Sequence, residues 1–207
     1  MSYQLYHAAD TRSFRALWAL EEVEADYDLH LLPFPPRVKA PEYLEINPLG
    51  TVPLLIDGPA RMVESVAICQ YLAARHPEYN LQAAPDSPDF AAYLDFLHFG
   101  EAALTFPQAL MLRYGQFETP LRRQPQVVAD YERWLFYRLA LVERRLQKSA
   151  YLVENRFTMA DISVGYAVKL THHVGIDKQL PTSVRTYFDR LQSRPAFTRA
   201  TCRQAAL

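Results

Sequence analysis

Two short stretches carry groups whose types and spacing suit the capture of a small charged peptide. In "GTVPLLIDG", residues 50–58, Pro53 stands at the head of a run that is aliphatic on both faces, as in an interior strand. Proline has no N–H to give to a ladder, so a strand of this kind must begin after it. A cis Val52–Pro53 bond would turn the chain at that point and leave the amide and carbonyl of Val52 outside the sheet. Two free main-chain groups can pair with the backbone of a peptide-like ligand, a small instance of strand addition. The plainer alternative is an edge strand that starts with proline. In "VESVAICQYL", Glu64-Ser65 stands where strand gives way to helix. Ser65 there is a helix cap, or else a hydroxyl donor beside the free N–H groups and positive dipole end that attract a ligand carboxylate. Glu64 is then placed to meet an ammonium group, and the two stretches together suit a zwitterionic peptide.

The elements that must hold these residues follow from hydrophobic period. "YQLYH", residues 3–7, reads as a strand, and Phe14, Leu17, Trp18, Leu20 and Val23 share one side of a helix ending near Glu24. "DYDLHLL" alternates and predicts a second strand, parallel to the first across so short a crossover. "VPLLI" and "PARMV" flank Asp57-Gly58, a tight-turn pair, and predict an antiparallel hairpin. A helix follows and stops at His76-Pro77. The proline-bearing stretch "QAAPDSP", residues 82–88, reads as a linker, after which the period is helical over 89–115, 125–147, 158–174 and 182–193. Thr158 and Asp161 form a capping box, with Phe157 and Ile162 as its staple, a feature that serves the fold and not catalysis.

Composition excludes several classes of partner. Of 207 residues, 22 are Lys or Arg and 23 are Asp or Glu, so no net field draws the chain to nucleic acid or an anionic membrane. No apolar run reaches the roughly 18 residues of a membrane span, and the first residues do not read as a signal peptide. The two cysteines, Cys69 and Cys202, form no C-x-x-C pair, which fits a reducing, cytoplasmic setting. His98 and His172-His173 lack metal-ligand spacing, so no metal is expected.

"NPLGTVPLL" and "ESVAICQYL", preceded by β-α-β and separated by a short hairpin, resemble the glutathione-binding half of the glutathione S-transferase family, and "RFTMADISVGYAV" resembles that family's helical capping motif. The likeness extends over essentially the whole chain. It implies an α/β plus all-α fold: a thioredoxin-like domain over 1–81, then a helical bundle over 89–207 that contributes an electrophile pocket. It further implies a cis-Pro53, Val52 pairing with the cysteinyl backbone of glutathione, Glu64 and Ser65 holding its γ-glutamyl end, and Lys39 contacting the glycine carboxylate. Glutathione would be the co-substrate, a small hydrophobic electrophile the acceptor, and the assembly a homodimer.

Such an enzyme must ionise the thiol of glutathione, since the thiolate is the nucleophile. Lowering a thiol pKa from roughly 8.5 by two units takes about 2.7 kcal/mol. A hydroxyl donor at about 1.5–3 kcal/mol with a helix N-terminus at about 0.3–1 suffices. The turn "HAADTRS" offers Thr11 and Ser13 as donors and Arg12 as a charge helper, with Tyr6 in the strand before it. Thr11 and Ser13 stand as near equals, and both also read as plain helix caps. The turn holds no cysteine, which disfavours mixed-disulfide chemistry on the protein's own thiol. Tyr93, Phe96, Phe99, Phe106, Met111 and Tyr114 supply an aromatic stock for an acceptor pocket between the domains, or for core and interface. Two further readings share the fold: a glutathione-dependent peroxidase or disulfide reductase, and a non-catalytic interaction module.

Overall fold

The computed structural model describes residues 2–205, which divide into two compact units, 2–82 with 192–205 and 83–191. In the first unit, β1 (Tyr3–His7), α1 (Ser13–Glu22) and β2 (Tyr27–Leu31) form the expected parallel crossover. Two short helices, α2 (Pro36–Lys39) and α3 (Tyr43–Ile46), follow β2. β3 (Leu54–Asp57) and β4 (Ala60–Met62) complete a sheet of order β2-β1-β3-β4, in which β1 is parallel to β2 and antiparallel to β3. α4 (Ser65–Arg75) then packs against α1.

Every residue of α1 from Ser13 to Glu21 is buried, more than the single face that its sequence period requires. The added cover is α10 (Pro195–Gln204), which packs along α1. Residues 192–205 were expected to belong with the helical domain 89–207, and the structure assigns them to the first unit instead. The physical reason is a set of contacts to α1. Phe197 stands edge-on to Trp18 at 4.9 Å and to Phe14 at 5.4 Å. Arg194 grips Glu22 with two bonds of 2.7 Å. Arg199 at 2.6 Å and Arg203 at 2.9 Å share the Glu21 carboxylate, which Tyr27 also meets with its hydroxyl. Two acidic side chains on a buried helix are thereby neutralised where burial alone would be costly.

The second unit is helical. α5 (Phe90–Phe99) passes through π-helical turns at Gly100–Thr105 into α6 (Phe106–Leu112), followed by α7 (Pro125–Leu146), α8 (Met159–Val174) and α9 (Thr182–Gln192). α5 lies against α8, and a Cβ on Gly100 would come within 2.6 Å of the Ser163 carbonyl carbon, so only glycine permits this approach. The capping box is present at the start of α8, and Phe157 and Ile162 are both buried. Asp161 does more than cap: it accepts from the amides of Thr158 at 2.8 Å and Leu152 at 3.1 Å and from the Tyr187 hydroxyl at 2.9 Å. Burial pushes its carboxyl up to about 6, against the opposing pull of these donors. Among the described residues no helix is long and apolar enough to cross a membrane, and both cysteines are free thiols.

Asp161→Ala strands two buried amides and should cost about 2–4 kcal/mol in chemical denaturation, an outcome that a change under 1 kcal/mol would contradict. A raised native pKa favours the protonated acid in the fold. Its contribution is therefore full below about pH 4, where the unfolded group titrates, and is lost as pH rises through about 6. Over that window the natural protein should lose more stability than Asp161→Asn. Gly100→Ala should lower stability by about 1–3 kcal/mol through steric conflict with the α8 backbone, measured the same way.

Candidate functional site

Three segments of the first unit meet at one end of its sheet. β1 ends at His7 and leads into the turn that carries Thr11 and Arg12, and Tyr6 pairs with Leu54, which sets the residues just before β3 beside that turn. β4 runs antiparallel to β3 and delivers Glu64 and Ser65 to the same end.

The Val52–Pro53 bond is cis, and β3 begins at Leu54, directly after the proline. Among the described residues, neither the amide nor the carbonyl of Val52 pairs with another group. The loop that presents it is braced from behind. Asn47 donates from Nδ2 to the Thr51 carbonyl at 2.8 Å, the Tyr43 hydroxyl donates to the same oxygen at 2.9 Å, and the Gly50 amide donates to the Asn47 carbonyl at 2.8 Å. Gly50 has φ +58°, and a Cβ there would lie 2.6 Å from that of Arg37, so both the turn and the close approach need glycine. Neither Asn47 nor Tyr43 was singled out from sequence, although an Asn four residues before the strand-opening segment is a recognisable turn signal.

Glu64 is the residue that precedes α4 and Ser65 is its first, and Glu64 makes no side-chain cap bond, so the capping role considered for Ser65 is not what the structure holds. Glu64 is exposed while Ser65 is buried. The Ser65 oxygen accepts from Arg15 Nη1 at 3.2 Å, which leaves its own proton for a further acceptor. Arg15 is wholly buried, so a fixed positive charge lies behind the N-terminus of α4. Lys39 is exposed at the end of α2.

In the turn after β1 the two hydroxyls differ sharply. Ser13 is wholly buried, and its oxygen lies 2.6 Å from His7 Nδ1 and 2.7 Å from Thr11 Oγ1. Thr11 is half-buried and donates to the Ala8 carbonyl at 2.8 Å. Arg12, also half-buried, precedes α1. The turn is pinned from α10, where Gln204 accepts from the Asp10 amide at 3.3 Å and donates to the Asp10 carboxylate at 3.1 Å. Tyr6 packs: it stacks on His30 at 4.4 Å and tilts against Tyr43 at 5.3 Å.

The aromatic stock of the second unit divides. Tyr93, Phe96 and Met111 are core, whereas Phe99 and Tyr114 are half-buried and Phe106 is exposed. His172 pairs with Asp177 at 3.2 Å, and among the described residues no group of His, Cys, Asp and Glu is arranged to hold a metal ion.

The chain is 30% identical over 173 residues to a glutathione S-transferase, hmp2, of Hypomyces subiculosus, spanning 77% of this chain and 79% of that one. It belongs to the glutathione S-transferase family. The family model described as the glutathione S-transferase N-terminal domain matches residues 1–74 of this chain, the part that holds all three converging segments. The ternary complex of BphK, a bacterial glutathione S-transferase, superposes with TM-score 0.86 at 25% identity, covering 98% of this chain and 99% of that one. A sphingomonad glutathione S-transferase complexed with glutathione shares the fold at TM-score 0.85 and 23% identity, covering 99% and 100%.

Replacing Asn47 by Ala removes the brace on Thr51 while leaving every group of the proposed ligand contacts in place. We expect weaker glutathione binding by about threefold to thirtyfold in calorimetry, with the fold intact. Unaltered affinity would show that the brace does not hold Val52 for a ligand.

Proposed function

We propose that this protein binds glutathione at the sheet end of its first unit and transfers the thiolate to a small apolar electrophile. The observation that carries the reading is the unpaired main chain of Val52 at the opening of β3, beside a turn bearing a hydroxyl donor. In this reading the Val52 amide and carbonyl pair with the cysteinyl residue of glutathione, antiparallel to it, as a short added strand. The Ser65 hydroxyl and the first amides of α4 receive the γ-glutamyl carboxylate, with the buried charge of Arg15 behind them, and Glu64 receives the ammonium. Lys39 takes the glycine carboxylate. Pairing the cysteinyl backbone at Val52 directs its side chain toward the turn after β1.

There Thr11 is assigned the thiolate, because Thr11 is a half-buried residue while Ser13 is sealed in. Its proton turns from the Ala8 carbonyl to the sulfur, and the N-terminus of α1 and the Arg12 charge add to the preference for the anion. The thiol proton passes to solvent. The sulfur lone pair then forms the carbon–sulfur bond, and the leaving group departs with its electron pair. Phe99, Phe106 and Tyr114, which keep accessible aromatic surface, favour an apolar acceptor. Family membership further supports a cytoplasmic homodimer with glutathione as co-substrate and no metal.

Isothermal calorimetry with reduced glutathione tests binding, and turnover of a chlorinated nitroaromatic tests transfer. Thr11→Val should lower kcat by about tenfold to a hundredfold and raise the bound thiol's apparent pKa by about one to two units, with glutathione affinity little changed. No binding at millimolar glutathione would overturn the assignment.

A further inference from the structure

The hydroxyl assigned to the thiolate is a link in a chain of three hydrogen bonds that runs from His7 to the Ala8 carbonyl, and counting protons fixes the direction of every one. Thr11 Oγ1 lies 2.8 Å from the Ala8 carbonyl oxygen, which has no proton, so Thr11 is the donor. A hydroxyl has one proton, and that of Thr11 is committed. The 2.7 Å contact between Thr11 and Ser13 is therefore donated by Ser13. The proton of Ser13 is then committed in turn, so the 2.6 Å contact between Ser13 Oγ and His7 must be donated by the imidazole, from Nδ1. The Ala8 amide, at 3.3 Å from Ser13 Oγ, adds a second donor to the same oxygen. Ser13 Oγ also lies 3.3 Å from the Ala8 carbonyl, a longer contact than the one to Thr11.

From this geometry we infer that His7 is a positioning residue: held as the Nδ1-protonated tautomer, it directs the Ser13 proton to Thr11, so that the Thr11 proton, resting on the Ala8 carbonyl, stays out of the Ser13 bond and can turn to the thiolate of glutathione. The opposite order, with Ser13 donating to Nδ1 and Thr11 donating to Ser13, spends the Thr11 proton inside the protein and presents the sulfur with a lone pair. Both His7 and Ser13 are wholly buried, so solvent does not compete for the bond between them. His7 is the last residue of β1, Ser13 is the first of α1, and Thr11 lies in the turn between them, so the chain ties the rigid strand and helix to the half-buried Thr11. Ser13, a near equal of Thr11 by sequence, acquires a distinct task as the middle link. The inference rests on the glutathione-binding reading for its ligand but not for its proton order.

Two measurements test it. Long-range proton–nitrogen NMR correlation on the unliganded full chain should show His7 protonated at Nδ1; the Nε2-protonated tautomer would overturn the proposal without any ligand present. The second measurement compares two neutral amides at position 7 by the ultraviolet absorption of bound glutathione thiolate. His7→Asn sets its amide nitrogen where Nδ1 stands, and His7→Gln sets it where Nε2 stands. His7→Gln should lower the thiolate fraction at neutral pH by about threefold to tenfold, and His7→Asn should restore most of it. Combining His7→Gln with Ser13→Ala should cost no more than Ser13→Ala alone, since both break the same chain. Equal thiolate fractions in the Asn and Gln variants, or additive losses in the double variant, would overturn the positioning role. Failure of the underlying reading has a different signature: the natural protein then binds no glutathione, while the NMR result on proton order stands.

Discussion

Proline's missing N–H sets the arrangement of the whole site. A ladder donor is unavailable at position 53, so β3 opens at Leu54 and the groups of Val52 stand clear of the sheet. Everything around them serves to keep that exposed backbone in one conformation. Asn47 and Tyr43 hold the Thr51 carbonyl from behind, Gly50 lets the loop turn against Arg37, and the cluster of Tyr6, Tyr43, Leu54 and Val63 packs beneath. A backbone that offers hydrogen bonds to a partner is useful only when it cannot relax to satisfy itself.

Charge is distributed in the same economical way. The near-neutral total hides ionised groups placed deep in the first unit: Arg15 behind the N-terminus of α4, and Glu21 and Glu22 beneath α10. Arg15 sets its guanidinium behind the α4 end, where it donates to Ser65. The acidic pair instead fastens one helix to another, with arginines that remain partly open to solvent and so lose less hydration than their partners.

Much of this was legible in the residues themselves. The strand and helix order of the first unit follows from alternation and helical period, and the capping box from Thr158 and Asp161. Val52, Pro53, Glu64 and Ser65 stand out because a proline in an apolar strand, and a Glu-Ser pair at a strand-to-helix junction, are chemically conspicuous. Other features leave little trace in one dimension. α10 buries Ala196, Phe197, Ala200 and Gln204 on one helical face, but Phe197 is the only large apolar side chain among them, so the buried face is carried mostly by small and polar residues. His7 reads as one more residue of a short strand, and its bond to Ser13 exists only once the turn has closed. The contrast between Ser13 and Thr11 is likewise one of burial, which adjacent hydroxyls in a sequence do not reveal.

The pairing of Gln204 with Asp10 joins positions 194 apart in the chain. A ribosome releases residues 83–191 before it reaches α10, so the helical unit can assemble while the first remains unfinished. The bend that carries Thr11 gains this support only from residues translated after the whole helical unit. Premature termination shortly before α10 would thus spare the helical unit yet leave the bend after β1 without this brace.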